Sequence, residues 1–304
     1  MLKQKLKQGL KVLTDKRYRQ FYAQRQILGI PSRERRADSL ASRLPVFESK
    51  GTNETLAQTA TLKDRGYLFL DDLIKPDQLQ AMRAFFSANE CADPYRPELG
   101  SFVAPGNAPP QTHVAFFSNE TIIRAPHALA IANNPKVLSI VSRFLGAKPT
   151  ISLLTAWWSM PHKDGKAEEA ELFHRDVDDI RFVKLFCYLT DVDEVSGPHV
   201  FVPGSQSVNK LTKIRRYQDS EIADAFGEGS HLTFTGKAGT AFLENTYGFH
   251  RGVPPTQKPR LLFQVLYSLR NSIYGPDRPV GRIGMDGVPA DIDPFINRVY
   301  LSPR

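Results

Sequence analysis

The sequence predicts an α+β fold that is mainly β, a sandwich or jelly roll with helices flanking its N-terminal side. Two observations carry that expectation. From Thr150 onward short apolar and aromatic runs alternate with turns, at Ile151 to Ser159, Phe182 to Leu189, Val200 to Val202, Gly239 to Leu243 and Leu261 to Leu269. Strands of this size at such spacing build packed antiparallel sheets. Nineteen Phe, ten Tyr and 22 Pro among 304 residues suit pleated surfaces, edges and turns better than a helical bundle. A hydrophobic content of 41% over this length supports one large core with extensions. Neither an internal repeat nor a low-complexity tract interrupts it.

The chain divides into a basic N-terminal helical extension and linker (1–50), a main domain (51–285) and a C-terminal tail (286–304). In the extension Leu2, Leu6, Leu10, Leu13 and Phe21 recur near helical spacing, with Lys3, Lys5, Lys7, Lys11, Arg17 and Arg19 between them. This is the pattern of a basic amphipathic helix that docks its stripe on the body or, as the alternative, on an anionic membrane surface. Pro31 and the polar run Ser32 to Ser42 read as a linker. Next come a short strand at Gly66 to Leu70 and a helix opened by Lys75-Pro76-Asp77 and continued through Phe86, with Pro at its entry. The Pro- and Gly-rich stretch Cys91 to Gln111 reads as one long loop. A second helix is expected at Pro135 to Leu145, with Val137, Leu138, Val141 and Leu145 on one face and Gly146 as its stop.

Charge and cysteines bound the function. Residues 1 to 50 hold 13 Lys and Arg against four acids, a local +9 out of a net +8, so the remainder sums to about −1 by subtraction. A nucleic-acid binder is not expected, because its positive charge would cover a working face of the body. Cys91 and Cys187 are too few for a disulfide framework and lack zinc-site spacing, which fits a reducing, cytoplasmic setting, peripheral to a membrane if the basic helix attaches there. No run approaches the roughly 18 apolar residues of a membrane span, and the N-terminus lacks a signal-peptide pattern.

The chemistry is carried by His-x-Asp. Two residues apart on a strand, both side chains point to one side and can meet one metal. Two His and one carboxylate bind iron(II) on one face and leave the other positions open. The pattern occurs twice, at His162-Lys163-Asp164 and His174-Arg175-Asp176. The first lies in turn composition between Pro161 and Gly165. The second follows Leu172-Phe173 and leads toward an apolar run, so His174 and Asp176 are preferred. His250 is the best third ligand: it follows a strand-like segment and precedes Arg251-Gly252-Val253-Pro254-Pro255. If residues 254–259 form a hairpin connection, Arg260 returns beside His250. A guanidinium there can hold the distal carboxylate of a dicarboxylic acid in a bidentate fork while its 2-oxo acid end chelates the metal.

At this point the residues resemble the phytanoyl-CoA dioxygenase family of iron(II)- and 2-oxoglutarate-dependent oxygenases, over roughly residues 60 to 270. The resemblance rests on Lys63-Asp64-Arg65-Gly66-Tyr67-Leu68, Asn134-Pro135-Lys136-Val137-Leu138 to Gly146, and His174-Arg175-Asp176. It continues in Tyr188-Leu189-Thr190-Asp191, in Ser196-Gly197-Pro198-His199-Val200-Phe201-Val202-Pro203-Gly204-Ser205-Gln206, and in His250 with Arg260. It implies a double-stranded β-helix (jelly roll, cupin-like) and His174, Asp176 and His250 as iron ligands. It also implies Arg260 as the 2-oxoglutarate anchor and O2 as the oxidant, with succinate and CO2 released. The chain departs from the family's pattern at Gln206, His199 and Gly252. Because a carboxylate, Asp176, stands where a small residue would admit halide, hydroxylation of a carbon is expected.

Other residues receive blander readings. Trp157 and Trp158 face opposite sides of a strand, so at most one lines the pocket. Trp157 is read toward the core, Trp158 toward the wall, and Trp157 joins Lys184 and Arg260 as co-substrate contacts. Lys184 sits either on the solvent face or as a second contact to a carboxylate, since burial without a partner is costly. His113, His127, His199 and His231 are expected to be structural or solvent-facing, and Glu168, Glu169 and Glu171 a solvated run. The functional expectation is an oxygenase acting on a small or lipid-like molecule. Its rival is a metal-binding β-barrel scaffold, which has no need of Arg260. The sequence leaves the oligomeric state open.

Overall fold

The computed structural model describes residues 11–27, 29–48, 51–161 and 169–303. His162, Asp164 and Glu168 lie outside them, as do residues 1–10. Eight strands form one sheet in the order β1-β9-β6-β11-β5-β4-β2-β3: Tyr67–Leu70, Ala241–Glu244, Phe182–Tyr188, Arg260–Ser268, Thr150–Ser159, Val114–Phe116, Glu90–Ala92 and Ser101–Val103. A smaller sheet has the order β10-β7-β8: His250–Gly252, His199–Phe201 and Leu232–Phe234. From β5 onward the chain passes repeatedly between the two sheets. That alternation is the jelly roll, mostly sheet with helices to one side, that the strand spacing predicted.

Period-two alternation divides the large sheet. Leu154, Ala156 and Trp158 of β5, Leu261, Phe263 and Val265 of β11, and Val183, Leu185 and Cys187 of β6 point outward into the larger apolar core, where they meet helices. The alternate residues Phe186, Tyr188, Phe242 and Leu262 point inward and pack with Phe201 and Phe234 of the small sheet. β11 is the central rail, in register with β5 on one side and β6 on the other. At both ends of the core the helices behave as the sequence predicts. The Pro135–Leu145 helix ends at Gly146 with φ 80°, a left-handed stop that glycine adopts at no steric cost. The Pro76–Ala88 helix begins with its Pro in the first turn.

Three expectations are corrected. The run read as a linker is a helix, Ile30–Ala41, with Pro31 in its first turn. Its buried stripe is Arg33, Ala37 and Ala41, so the helical period is written in small residues and one arginine that hydrophobic spacing does not reveal. Within the expected Cys91 to Gln111 loop, Glu90–Ala92 pairs antiparallel with Ser101–Val103, extending the large sheet. Residues 254–259 do not form a hairpin: β10 lies in the small sheet and β11 in the large one. The connection crosses the jelly roll, and Arg260 faces His250 from the opposing sheet.

The N-terminal helices are docked. Phe21 is buried, and Gln24 Nε2 donates to the Val177 carbonyl. Arg33, 3% exposed, is the anchor. Its Nη2 donates to the carbonyls of Asp179 (2.9 Å) and Ile180 (3.1 Å), and its Nη1 reaches Gln24 Oε1 (3.1 Å). The guanidinium also stacks over the Tyr247 ring at 4.3 Å. The last residues join the body too: Leu301–Ser302 (β13) pairs parallel with Gly281–Arg282 (β12), and Ile296, Tyr300 and Leu301 are buried. No described helix is long and apolar enough to cross a membrane.

Replacing Arg33 by Ala strands several carbonyls and opens a cavity, so Arg33→Ala should lower unfolding stability by about 3 kcal/mol. Urea denaturation checks the loss, and limited trypsin digestion should then cut the N-terminal segment first.

Candidate metal centre and its cavity

His174, Asp176 and His250 each offer one ligand atom, and those atoms lie within 4.8 Å of one another. Two chain segments are tied together to achieve this. His174 and His250 exchange backbone hydrogen bonds (3.0 and 3.1 Å), an isolated antiparallel bridge, and the Asp176 N–H donates to the Thr246 carbonyl (2.8 Å). The imidazole centroids are consequently 4.3 Å apart. His174 Nε2 is 3.6 Å from Asp176 Oδ1, and His250 Nε2 is 3.3 Å from Asp176 Oδ2.

The remaining ring nitrogens orient the pair. His174 Nδ1 lies 2.8 Å from the Leu172 carbonyl and His250 Nδ1 3.0 Å from the Gly248 carbonyl. A carbonyl only accepts, so each Nδ1 carries the proton and each Nε2 is the free donor atom for a metal. Burial, reinforced by neighbouring His250, pushes the His174 pKa well down. Burial acts the same way on His250, but Asp176 outweighs it and the net shift is upward. For Asp176 burial opposes the charge, yet Lys184, His250 and His174 hold its carboxyl well below the ordinary range.

Lys184, expected on the solvent face or against a carboxylate and grouped with the co-substrate contacts, lines the cavity with its ammonium already committed. Its Nζ sits 2.6 Å from Asp176 Oδ2 and 2.9 Å from Asp178 Oδ2. The two anions overcome the burial that would otherwise lower its pKa, and the net shift is upward. Lys184 is therefore a charge partner of Asp176.

The triad opens into a cavity of about 240 Å³ between the two sheets. Arg260, at the start of β11, is 5% exposed. Its Nη1 donates to the Gly197 carbonyl, its Nη2 to Ser159 Oγ (3.1 Å), and its buried Nε has no partner. Among the described residues no carboxylate forms an ion pair with it. A buried cation lacking a counter-ion costs several kcal/mol, which an anionic ligand in the cavity would offset. Ser159, Arg260's register partner across the β5–β11 ladder, places a hydroxyl beside the guanidinium. Gly197 itself has φ 75°, and a Cβ there would meet the Val253 carbonyl oxygen at 2.4 Å, so this anchoring loop requires glycine.

Trp157 lines the cavity and stacks on Phe116 (5.3 Å, 19°). Trp158, read as a wall residue, is instead buried in the larger core. Two residues given bland readings are corrected. Glu171 is buried and lines the cavity, because the 3-10 turn Glu169–Glu171 carries it inward from the charged run. His199 also lines it, with Nε2 2.8 Å from Glu244 Oε2 and its ring stacked on His250 (5.6 Å, 23°). Glu244 was missed altogether. The signal was an acid ending an otherwise apolar strand, Ala241–Glu244, with a relative exposure of 0%. Burial raises its pKa to about 8, against the lowering effect of His250, and burial lowers that of His199.

With this geometry in hand, comparisons with known proteins are informative. The family model described as phytanoyl-CoA dioxygenase (PhyH) matches residues 62–261. Among solved structures, EctD from S. alaskensis with 2-oxoglutarate and 5-hydroxyectoine is similar at a TM-score of 0.54 and 18% identity, covering 86% of this chain and 92% of that one. The non-haem α-ketoglutarate-dependent epimerase SnoN from nogalamycin biosynthesis is similar at 0.51 and 15%, covering 70% and 80%. HygX from Streptomyces hygroscopicus, with nickel and 2-oxoglutarate bound, is similar at 0.51 and 15%, covering 75% and 90%. At these identities the likeness establishes the fold. No curated protein matches the chain in sequence.

A divalent metal at the triad must displace the proton that the raised pKa of His250 retains. Nickel(II) affinity should therefore fall as pH drops through and below that pKa, which lies above the ordinary 6.5. In the limit the loss is about tenfold per pH unit for one competing proton. Calorimetric titration in buffers of different ionisation enthalpy should show proton release on binding.

Proposed function

The chain belongs to the phytanoyl-CoA dioxygenase family and is a non-haem iron, 2-oxoglutarate-dependent enzyme with O2 as co-substrate; from that premise we propose that His174, Asp176 and His250 are its iron ligands, that Arg260 anchors 2-oxoglutarate, and that the enzyme hydroxylates a carbon of a small or amphiphilic substrate. The observation that carries the assignment is the coexistence, in one cavity, of three convergent ligand atoms and a buried, ion-pair-free guanidinium. Iron(II) with 2-oxoglutarate supplies activation of O2, so that the co-substrate leaves as succinate and CO2 and one oxygen atom enters the substrate.

The chain's own residues perform the positioning. Asp176 occupies the carboxylate position, which favours hydroxylation over halide transfer. Lys184 keeps Asp176 ionised, and Asp178 holds the Lys184 ammonium in place between the two carboxylates. Arg260 and Ser159 receive the distal carboxylate from the large sheet. Val114, Phe116, Leu153 and Trp157 form an apolar wall that excludes water and accepts the carbon skeleton of a substrate. Cys91 and Cys187 are buried free thiols, in keeping with work in the reducing cytoplasm.

A subordinate reading concerns the N-terminus. Its described part docks on the body, yet Lys11, Leu13, Lys16 and Arg19 stay exposed, which favours contact between residues 1–30 and an anionic membrane surface as a second role. Co-sedimentation with vesicles containing phosphatidylserine should then fall when these basic residues are changed to Gln; equal sedimentation would remove the idea.

Anaerobic addition of iron(II) and then 2-oxoglutarate should produce the weak visible absorption expected near about 500 nm when a 2-oxo acid chelates ferrous iron. His174→Ala should abolish it. Arg260→Ala should leave iron binding intact and weaken 2-oxoglutarate by about 100-fold, the loss of a bidentate charge-assisted contact. Metal binding without the band would refute the oxygenase assignment of these residues.

A further inference from the structure

The cavity contains a pair of buried ionisable residues that the iron ligands and the Arg260 anchor leave without a task. His199 projects inward from β7 of the small sheet and Glu244 from β9 of the large one, and they meet across the interior with Nε2 2.8 Å from Oε2. The histidine is 5% exposed and the glutamate 0%. Their surroundings are aromatic: the His199 ring centroid lies 5.0 Å from Phe186, 5.6 Å from Phe242 and 5.9 Å from Phe234.

An apolar pair of similar volume would fill this space at least as stably, because desolvating a buried ion pair or acid consumes most of what the contact returns. Among the described residues no well-aligned hydrogen bond reaches either Glu244 oxygen or His199 Nε2, so the two side chains meet as a close polar contact of 2.8 Å. Such a residue is costly where it stands, and its one structural consequence is to fix the imidazole.

The placement of that imidazole indicates what it is fixed for. It stacks on His250 and lines the cavity, while the charges of His250, Arg260 and Asp176 all reach it. It therefore shares the cavity with both the triad and Arg260 and stands within electrostatic reach of each. Nε2 lies 2.8 Å from Glu244 Oε2, which leaves Nδ1 as the ring nitrogen available to a ligand that reaches both the triad and Arg260.

We propose that His199 is a further binding residue for the 2-oxo dicarboxylate, hydrogen-bonding it between the metal end and the Arg260 end, with Glu244 as the positioning residue that holds the imidazole in place. This rests on the assignment of the cavity to 2-oxoglutarate made above.

Calorimetry with nickel(II) alone, and then with 2-oxoglutarate added to the nickel-loaded full-length protein, tests it without relying on turnover. His199→Phe, which suits the aromatic surroundings, should weaken 2-oxoglutarate by about tenfold, the worth of one hydrogen bond to a charged group. Nickel affinity should stay within about twofold. His199→Gln should recover most of the loss. Glu244→Leu should match His199→Phe and Glu244→Gln should recover, a pattern that mere packing would not produce; this pair carries the test if His199→Phe does not fold. Wild-type 2-oxoglutarate affinity in His199→Phe or in Glu244→Leu would overturn the proposal, as would parallel loss of nickel and 2-oxoglutarate. Failure of the nickel-loaded wild type to bind 2-oxoglutarate, or indifference to Arg260→Ala, would instead overturn the underlying assignment.

Discussion

The reciprocal backbone hydrogen bonds between His174 and His250 set the geometry on which the rest of the site depends. They belong to no long strand, yet they hold two distant segments at ladder spacing, so that both imidazoles emerge on the same side. The Asp176 N–H on the Thr246 carbonyl repeats the lock two residues on. A ligand set assembled through main-chain bonds of this kind tolerates side-chain changes around it. Its registration fails only if the sheet itself slips, and β11, paired along its whole length with β5 and β6, resists slippage because its outward face is buried.

Around that frame the interior accommodates an unusual density of charge. Asp176, Asp178, Lys184, His199, Glu244, His250 and Arg260 all line or adjoin one cavity, flanked by Phe186, Phe242 and Trp157. Lys184 resolves part of this by serving two carboxylates at once, and Glu244 resolves its own burial against His199. Among the described residues Arg260 forms no ion pair, although Glu171 in the same cavity acts on it through its charge. In a low-dielectric interior a cation without a paired carboxylate is costly, which favours an anion beside Arg260.

Much of this was legible in the sequence, for identifiable reasons. The strands at β5, β6 and β11 were visible because both faces are buried and the apolar runs are nearly continuous. His174 and Asp176 were preferred over His162 and Asp164 because apolar residues surround them, and the fold brings the pair within 4.8 Å of His250. Arg260 was placed correctly at the cavity but by the wrong route, since the hairpin invoked to bring it there is a crossover between sheets. The Ile30–Ala41 helix escaped notice because its buried face is Arg33, Ala37 and Ala41. Glu244 and Glu171 escaped because an acid at the end of a strand or in a charged run ordinarily faces water; only the tertiary fold turns each of them inward.

The N-terminal helices bear on the site through the segment that follows the ligand carboxylate. Gln24 takes the Val177 carbonyl and Arg33 takes those of Asp179 and Ile180, while Asp179 in turn binds Arg270 at the end of β11. Asp178, between these clamped positions, is one of the two carboxylates that hold Lys184. The extension thus braces the backbone from which both Asp176 and its charge partner are positioned. The +9 of residues 1–50 is in part a structural charge: Arg33 is sunk into the body as a hydrogen-bond hub, and Arg17 is paired with Asp15 and Asp277. What the composition presents as a basic tail is, over its described length, a strap whose contacts reach Val177, one residue from Asp176.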